Sequence, residues 1–424
     1  MRFWRPLLAA LAVAWLALAP VQAECFLSDA GFADKGGVLC TGSNQPTVNL
    51  NFLSGKLDPR ITFTRASTAT FYGSNGLLQT ASSGVARFTY DPATLALLGL
   101  LIEESRTNSA RWSRDLTNAA WTTLLGTTAK DQIGIDGVTN SASSFTATSG
   151  NATTLQTVVH VSSTDSYAVW IKRITGTGEI DLSLDGTTWT AATASNCFWG
   201  GTASAIVSAH YVRCMITQAT VVNPAIGVRI VTNGDKVAVD QNQLEAGFAF
   251  PTSDIITTTA AVTRAADVAT MTLASIGIPA NPAGLTIIGK ARTAAGNSAR
   301  QIVAALSDGT NNNRMQISRE TMSIQGLVAS GGVNGVNISI YAVSPNNADI
   351  SFWEAVAASD FAGQVVGQAK VTQSASVVTP IGLTTLGIGS GVAAVTPWNS
   401  AIARLQIYNR RLPDATAARI AGGM

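Results

Sequence analysis

Charge is scarce in this chain. Lys, Arg, Asp and Glu make up 12% of its 424 residues and leave a formal net charge of +2. With the basic residues scattered, no positive field forms, which excludes nucleic acid and anionic membrane surfaces as partners. Histidine is scarcer still, at two residues, His160 and His210. With no G-x-S-x-G elbow, a hydrolase triad is excluded, and each His reads as a surface or satisfied strand residue. No C-x-x-C and no paired-histidine spacing occur, so no metal site is expected and no cofactor follows. Calcium, held by oxygens such as those of Asp360 in a sandwich loop, is admitted by residue type but supported by no spacing. Beyond residue 19 there is no long apolar run, so no membrane span is expected in the mature chain.

Much of what is present is β-like. Hydrophobic residues are 46% of the chain, set among Thr, Ser, Gly, Ala and Asn, a composition suited to short strands and turns. The length calls for two or three domains. Residues 1–23 have a basic start at Arg2 and Arg5, an apolar run Leu7–Ala19 and a small-residue site at Val21-Gln22-Ala23. That is a secretory signal, since Pro20 and the flanks suit neither a buried helix nor a span. Cys25 is not the first residue after Ala23, which argues against a lipid anchor.

The remaining cysteine pattern fits export. Cys25 and Cys40 enclose a short Gly-containing segment, and a disulfide there would contribute ~3 kcal/mol. Cys197 and Cys214 have similar spacing in a β-rich region, where they either pair across strands or sit as buried thiols. Residues 24–55 read as an N-terminal arm, irregular at Gly36-Gly37 and Gly42-Ser43-Asn44 and extended from Val48 to Phe52.

Residues 56–111 read as a β connector module. Ser74-Asn75-Gly76 and Asp91-Pro92 supply turns between extended segments at Ile61/Phe63, Leu77/Leu78, Phe88/Tyr90 and Leu100/Ile102. This stretch also concentrates charge: Arg65, Arg87, Glu103, Glu104 and Arg106. Adjacent Glu103 and Glu104 point to opposite faces of a strand and cannot flank one glycosidic bond. They are expected to pair with the arginines and fix a turn or a subunit contact.

Residues 112–262 alternate apolar and polar at Tyr167/Val169/Ile171 and Ile180/Leu182/Leu184, the pattern of one β-sandwich. Asp185-Gly186 and Asn233-Gly234 are hairpin signals. Residues 263–424 give a second strand series, Leu285/Ile287, Met315/Ile317, Ile338/Ile340 and Leu405/Ile407, then a helix opened by Pro413-Asp414 and closed by Gly422-Gly423. Thr263-Arg264-Ala265 echoes Thr64-Arg65-Ala66 and marks a junction. GLTIIGKA at Gly284–Ala291 has phosphate-loop spacing, but Ala291 lacks the Mg²⁺-binding hydroxyl and the stretch reads as a strand.

The segments TFTRASTAT, GLLQTA, RFTYDPAT, GLLIEESRTN and NAAW resemble a segment of tailed-phage fibre and head-spike proteins. VAVDQNQLEAGFAFPTSDIITTTAAVTRAADVA resembles the closing strand and exit of carbohydrate-binding-module jelly rolls, and the C-terminal TTLGIGSGVAAVTPWNSAIARLQIYNRRLPDATAARI resembles concanavalin-like, laminin-G-like sandwiches. The resemblance implies an all-β chain of tandem β-sandwiches, a jelly roll over 112–262 and a laminin-G-like sandwich over 263–424. It also implies a virion fibre or spike adhering to host surface polysaccharide, in contact with other virion proteins, and a homotrimer. A secreted, prophage-derived bacterial lectin is the first alternative, favoured by the signal sequence. A glycan-depolymerising enzyme is the second; Asp240 and Glu245 are the acid pair it would use, although a structural role suits Glu245 better, and no enzyme is expected. The location is extracellular or virion-associated. Sugar is held by aromatic platforms, and the candidates are Trp189, Trp199 and Trp353, with Trp170 assigned to the core.

Overall fold

The computed structural model describes residues 26–28, 31–33, 45–296, 300–391 and 396–424. The signal sequence and the Cys25–Cys40 pair lie outside the described residues. The chain divides into two units, Met1–Gln45 and Pro46–Met424. In the first, Phe26–Ser28 and Gly31–Ala33 pair as an antiparallel hairpin.

Among the described residues the second unit is all-β apart from short turns of 3-10 helix and one terminal helix, and consists of one sandwich inserted into another. The host sandwich has an eight-stranded and a seven-stranded sheet. Strand Gly284–Arg292 lies inside the larger sheet, between Asp349–Ala357 and Ser400–Tyr408. Its position there removes any phosphate-loop reading of GLTIIGKA. Ile287, Phe352, Leu405 and Ile407 point inward to meet Met271, Leu306, Ile317 and Leu386 from the smaller sheet. Each large apolar side chain so buried is worth roughly 1.5–3 kcal/mol.

Residues 56–111 do not stand apart as a connector module. Leu97–Ile102 adds to Ser400–Tyr408 in the larger sheet and carries Arg87–Tyr90 beyond it, while Thr62–Thr64 pairs with Val268–Thr272 in the smaller one. The end of the expected arm is likewise a strand of the host: Val48–Asn51 pairs with Ser400–Tyr408. Local pattern identified these strands, but their partners lie some 200 to 350 residues away in sequence, a pairing that turn chemistry does not encode.

The inserted sandwich leaves the host through Arg106–Asn108 and returns through Val262–Arg264, and these two strands pair with each other, Arg264 opposite Arg106. It packs a five-stranded sheet on a seven-stranded one. Tyr167, Val169 and Ile171 from Ser163–Thr175 meet Ile180, Leu182, Ile226 and Val228 from the opposing sheet. Asp185-Gly186 joins the paired strands Ile180–Ser183 and Thr190–Ala191. Asn233-Gly234 is not a hairpin turn: it carries the chain from Ala225–Ile230 in one sheet to Lys236–Ala246 in the other. Cys197 and Cys214 sit opposite each other on neighbouring strands and are disulfide-bonded, with Cα atoms 3.9 Å apart.

The terminal helix, Asp414–Gly422, has Asp414 in its first turn and Arg419 in its last, both favourable to its dipole. Its Ala417 and Ala421 pack on Trp353, Ala355 and Tyr408. Strand Asp349–Ala357 is therefore covered on both faces, Phe352 and Val356 by the sandwich core and Trp353 and Ala355 by the helix.

Candidate functional site

The charged residues singled out in the sequence converge where the inserted sandwich joins its host. Arg87 is wholly buried and bonds Glu103 at 2.8 Å, Asp267, and the Thr70 carbonyl at 2.8 Å. Arg65 bonds the other oxygen of Asp267 at 3.0 Å. Arg264 reaches Glu103 at 3.2 Å and donates to the Glu104 carbonyl at 2.6 Å. Arg106 bridges Glu104 at 2.5 Å and Glu245 at 2.6 Å, its guanidinium 3.4 Å from the centre of the Phe248 ring. Glu103 also accepts from the Ser253 amide at 2.7 Å and hydroxyl at 2.6 Å.

Burial alone would push the Glu103 carboxyl up, but Arg264 and Arg87, with both Ser253 donors, outweigh it and hold it at about 2. Arg87 is raised in the same contest: burial opposes its charge, and Asp267 and Glu103 restore it. Arg264 moves down, because burial exceeds what Glu103 returns. Sequence reading placed five of these residues in one segment. It missed Asp267, Ser253 and the part played by Arg264, although the repeated Thr-Arg-Ala was the available signal: Arg65 and Arg264 enter the same cluster.

Neither carboxylate of the alternative acid pair is free. Asp240 accepts from Arg114 at 2.7 and 2.9 Å and from the Ile135 amide, and Glu245 is held by Arg106, Thr252 and Gln243. Burial pushes Asp240 up against the pull of Arg114. His160 meets the Ser163 hydroxyl at 2.8 Å. His210 is lowered by burial and stacks on Trp199.

The three tryptophans separate. Trp353 is fully buried under the terminal helix and donates to Gln364; its face is closed to any ligand, which corrects its assignment as a sugar platform. The sequence showed the helix but neither the strand Asp349–Ala357 nor the docking of one on the other. Trp199 is half-buried with one face on the His210 ring, 3.5 Å between centroids, and the rest of it packed on the core, so it too offers no platform.

Trp189 is different. It is half-buried in the loop after Asp185-Gly186, beside the outward face of the five-stranded sheet. Arg229 lies over its ring at 4.8 Å and is clamped by Asp181 at 2.6 and 2.8 Å. Along the same face the strand partners Leu155 and Gly227 lie side by side. No side chain fits at Gly227, where a Cβ would come within 2.0 Å of the Thr154 carbonyl. The face thus combines an indole with Arg229 over one side of its ring, a fixed guanidinium–carboxylate pair, and Leu155 lying against Gly227, an arrangement able to pack a sugar ring's edge and hydrogen-bond its substituents.

No protein-family model matches the chain, and no curated protein sequence does. Among solved structures it is similar to the NanB sialidase of Streptococcus pneumoniae at 13% identity and TM-score 0.30, over 35% of this chain and 26% of that one. It spans about a quarter of that sialidase. The CBM40 of Ruminococcus gnavus IT-sialidase bound to α2,3-sialyllactose matches at 14% identity and TM-score 0.29, over 34% of this chain and 84% of the module. Domain 4 of AbnA, a GH43 extracellular arabinanase of Geobacillus stearothermophilus in complex with arabinotriose, matches at 9% identity and TM-score 0.29, over 41% and 82%. The β-sandwich architecture itself rests on the strand registers above. Among the described residues, no helix is long and apolar enough to cross a membrane.

Proposed function

We propose that this chain is an adhesive, glycan-binding β-sandwich protein that holds surface polysaccharide without cleaving it. The observation that carries the reading is the outward face of the inserted sandwich, where Trp189 lies under a guanidinium fixed by Asp181. Such a face gives weak single-site binding, and weak sites become useful when several copies engage one polymer. A homotrimeric fibre or spike on a phage-type particle supplies that multiplicity, and the segments TFTRASTAT to NAAW are what favour this setting. The signal-like residues 1–23 favour the second reading, a secreted prophage-derived lectin.

The test is retention of the purified full chain on host surface polysaccharide, wild type against Trp189→Ala and Arg229→Ala. Both variants should lose at least tenfold in retention per folded molecule, Trp189→Ala with an unchanged thermal midpoint and Arg229→Ala with a lowered one because buried Asp181 loses its partner; wild-type retention in both would overturn the reading. Release of reducing ends from the same polysaccharide would overturn the non-catalytic part of it. Peptide mass spectrometry on purified particles and on particle-free supernatant separates the two settings, since a virion component must be found in the particles.

A further inference from the structure

The two sandwiches enclose a groove of about 320 Å³ between them. On one side is the hairpin of Cys197–Trp199 and Thr202–Ala203 from the inserted sandwich, on the other the Asp91 turn and strand Gly284–Arg292 of the host. Both walls are fixed. The hairpin is anchored by the Cys197–Cys214 bond, and its tip, Gly200, has φ 59° and sits so close to the turn that a Cβ would come within 2.1 Å of Asp91 Oδ1. That Asp91 oxygen accepts from the Ala93 and Thr94 amides at 2.9 and 3.1 Å, which locks the turn.

The polar groups inside are arranged rather than loose. Arg292 donates to Asp349 at 2.8 Å and reaches Asp91 at 3.4 Å, and Lys290 donates to the Met424 carbonyl at 3.1 Å. Among the described residues, the Asn347 side-chain amide and the Thr202 hydroxyl make no hydrogen bond, and both line the groove. Leu98 and Ala403 supply an apolar floor. Two carboxylates offset two cations, so the groove carries no net charge; the guanidinium is shared between both acids, and the ammonium is turned to the Met424 carbonyl. A sugar hydroxyl, which donates and accepts, can meet Asp349 on one side and Asn347 or Thr202 on the other.

We propose that this groove is a second saccharide-binding site, taking an uncharged, hydroxyl-rich sugar of about one or two rings, a size matched to the lower end of ligand pockets. It extends the glycan-binding reading in ligand class but does not depend on Trp189.

The experiment is saturation-transfer difference NMR on the full chain with lactose, maltose and cellobiose as neutral probes and galacturonic acid as the charged comparison. The variants are Thr94→Trp, which fills the groove from an exposed position, Asp349→Asn, which keeps shape and removes an acceptor charge, and Trp189→Ala. At least one neutral disaccharide should give transfer in wild type and Trp189→Ala, lose it in Thr94→Trp, and bind about five- to tenfold more weakly in Asp349→Asn, the loss expected of one charge-assisted hydrogen bond. No transfer from any of the three, transfer unchanged in Thr94→Trp and Asp349→Asn, or stronger transfer from galacturonic acid would each overturn the proposal. Should Trp189→Ala alone abolish transfer, the groove fails as a site while the glycan-binding reading stands. Polysaccharide retention unaffected by Trp189→Ala sinks that reading and leaves the groove to be judged on these probes.

Discussion

Replacing Glu103 by Gln removes one charge from the junction cluster and keeps its shape, so the cost follows from the carboxyl's own titration. An unfolded chain protonates this group near 4.5, and the folded one holds it at about 2. At about 1.4 kcal/mol for each pH unit between those values, the charged form contributes about 3 kcal/mol at neutral pH. Because the folded value is the lower one, the contribution is complete above 4.5 and is lost as pH falls through about 2. Glu103→Gln should therefore unfold with a stability about 3 kcal/mol below wild type at pH 7. The gap should narrow steadily between pH 4.5 and 2 and close below it. The Ser253 amide keeps the amide oxygen as its acceptor, but the amide nitrogen then turns toward the Ser253 hydroxyl and toward Arg87 and Arg264, two donors it cannot satisfy. The measurement is urea unfolding of the full chain at pH 7, 5, 3.5 and 2, comparing midpoints at constant slope. A gap independent of pH, or one under about 1 kcal/mol at pH 7, would refute the reasoning.

Other sites give independent checks. Arg87→Met leaves Asp267 and Glu103 short of a buried partner and should cost about 3–5 kcal/mol in urea unfolding. Cys197→Ser with Cys214→Ser opens a loop set by a sequence separation of 17 and should lower stability by about 3 kcal/mol; equal midpoints for wild type and the double variant would contradict the bond. Trp353→Ala should cost about 3–5 kcal/mol while leaving polysaccharide retention per folded molecule unchanged, the reverse of Trp189→Ala. Glu354 is buried with both carboxyl oxygens unpartnered, and burial raises it well above 4.5. A raised acid favours the fold at low pH and opposes it as pH climbs past 4.5. Glu354→Gln should thus gain roughly 1–3 kcal/mol at pH 8 and nothing at pH 4 by thermal denaturation.

Much of the fold was legible because sandwiches are written in local pattern. Tyr167, Val169 and Ile171 alternate with residues of the other face, and the Asp91-Pro92 and Ser74-Asn75-Gly76 turns do join antiparallel neighbours. What local pattern cannot carry is which strand pairs across a long interval. Val48–Asn51 and Leu97–Ile102 both join Ser400–Tyr408, so segments that look like an arm and a connector are parts of a sandwich completed only when the chain's last strand arrives. Asn233-Gly234 misled for a related reason: the dipeptide specifies a tight reversal but not whether the chain returns to the same sheet.

The candidate site was legible in its chemistry and not in its depth. A carboxylate-rich, arginine-rich stretch in a charge-poor chain is visible at once, yet its partners Asp267, Ser253 and Glu245 come from the exit of the inserted sandwich, beyond any motif. The position of that cluster has a physical reason. An inserted domain crosses from its host by two strands, here Arg106–Asn108 paired with Val262–Arg264, and an apolar junction would tolerate many rotations about so narrow a ribbon. Four buried arginines, each aimed at named oxygens, accept few. Such clusters add little net stability over a well-packed apolar core, and their worth is in selecting one geometry. That geometry sets the distance between Gly200 and Asp91, and with it the width of the groove. Weakening the cluster by Arg106→Met should therefore change sugar binding in the groove even though Arg106 is absent from its lining.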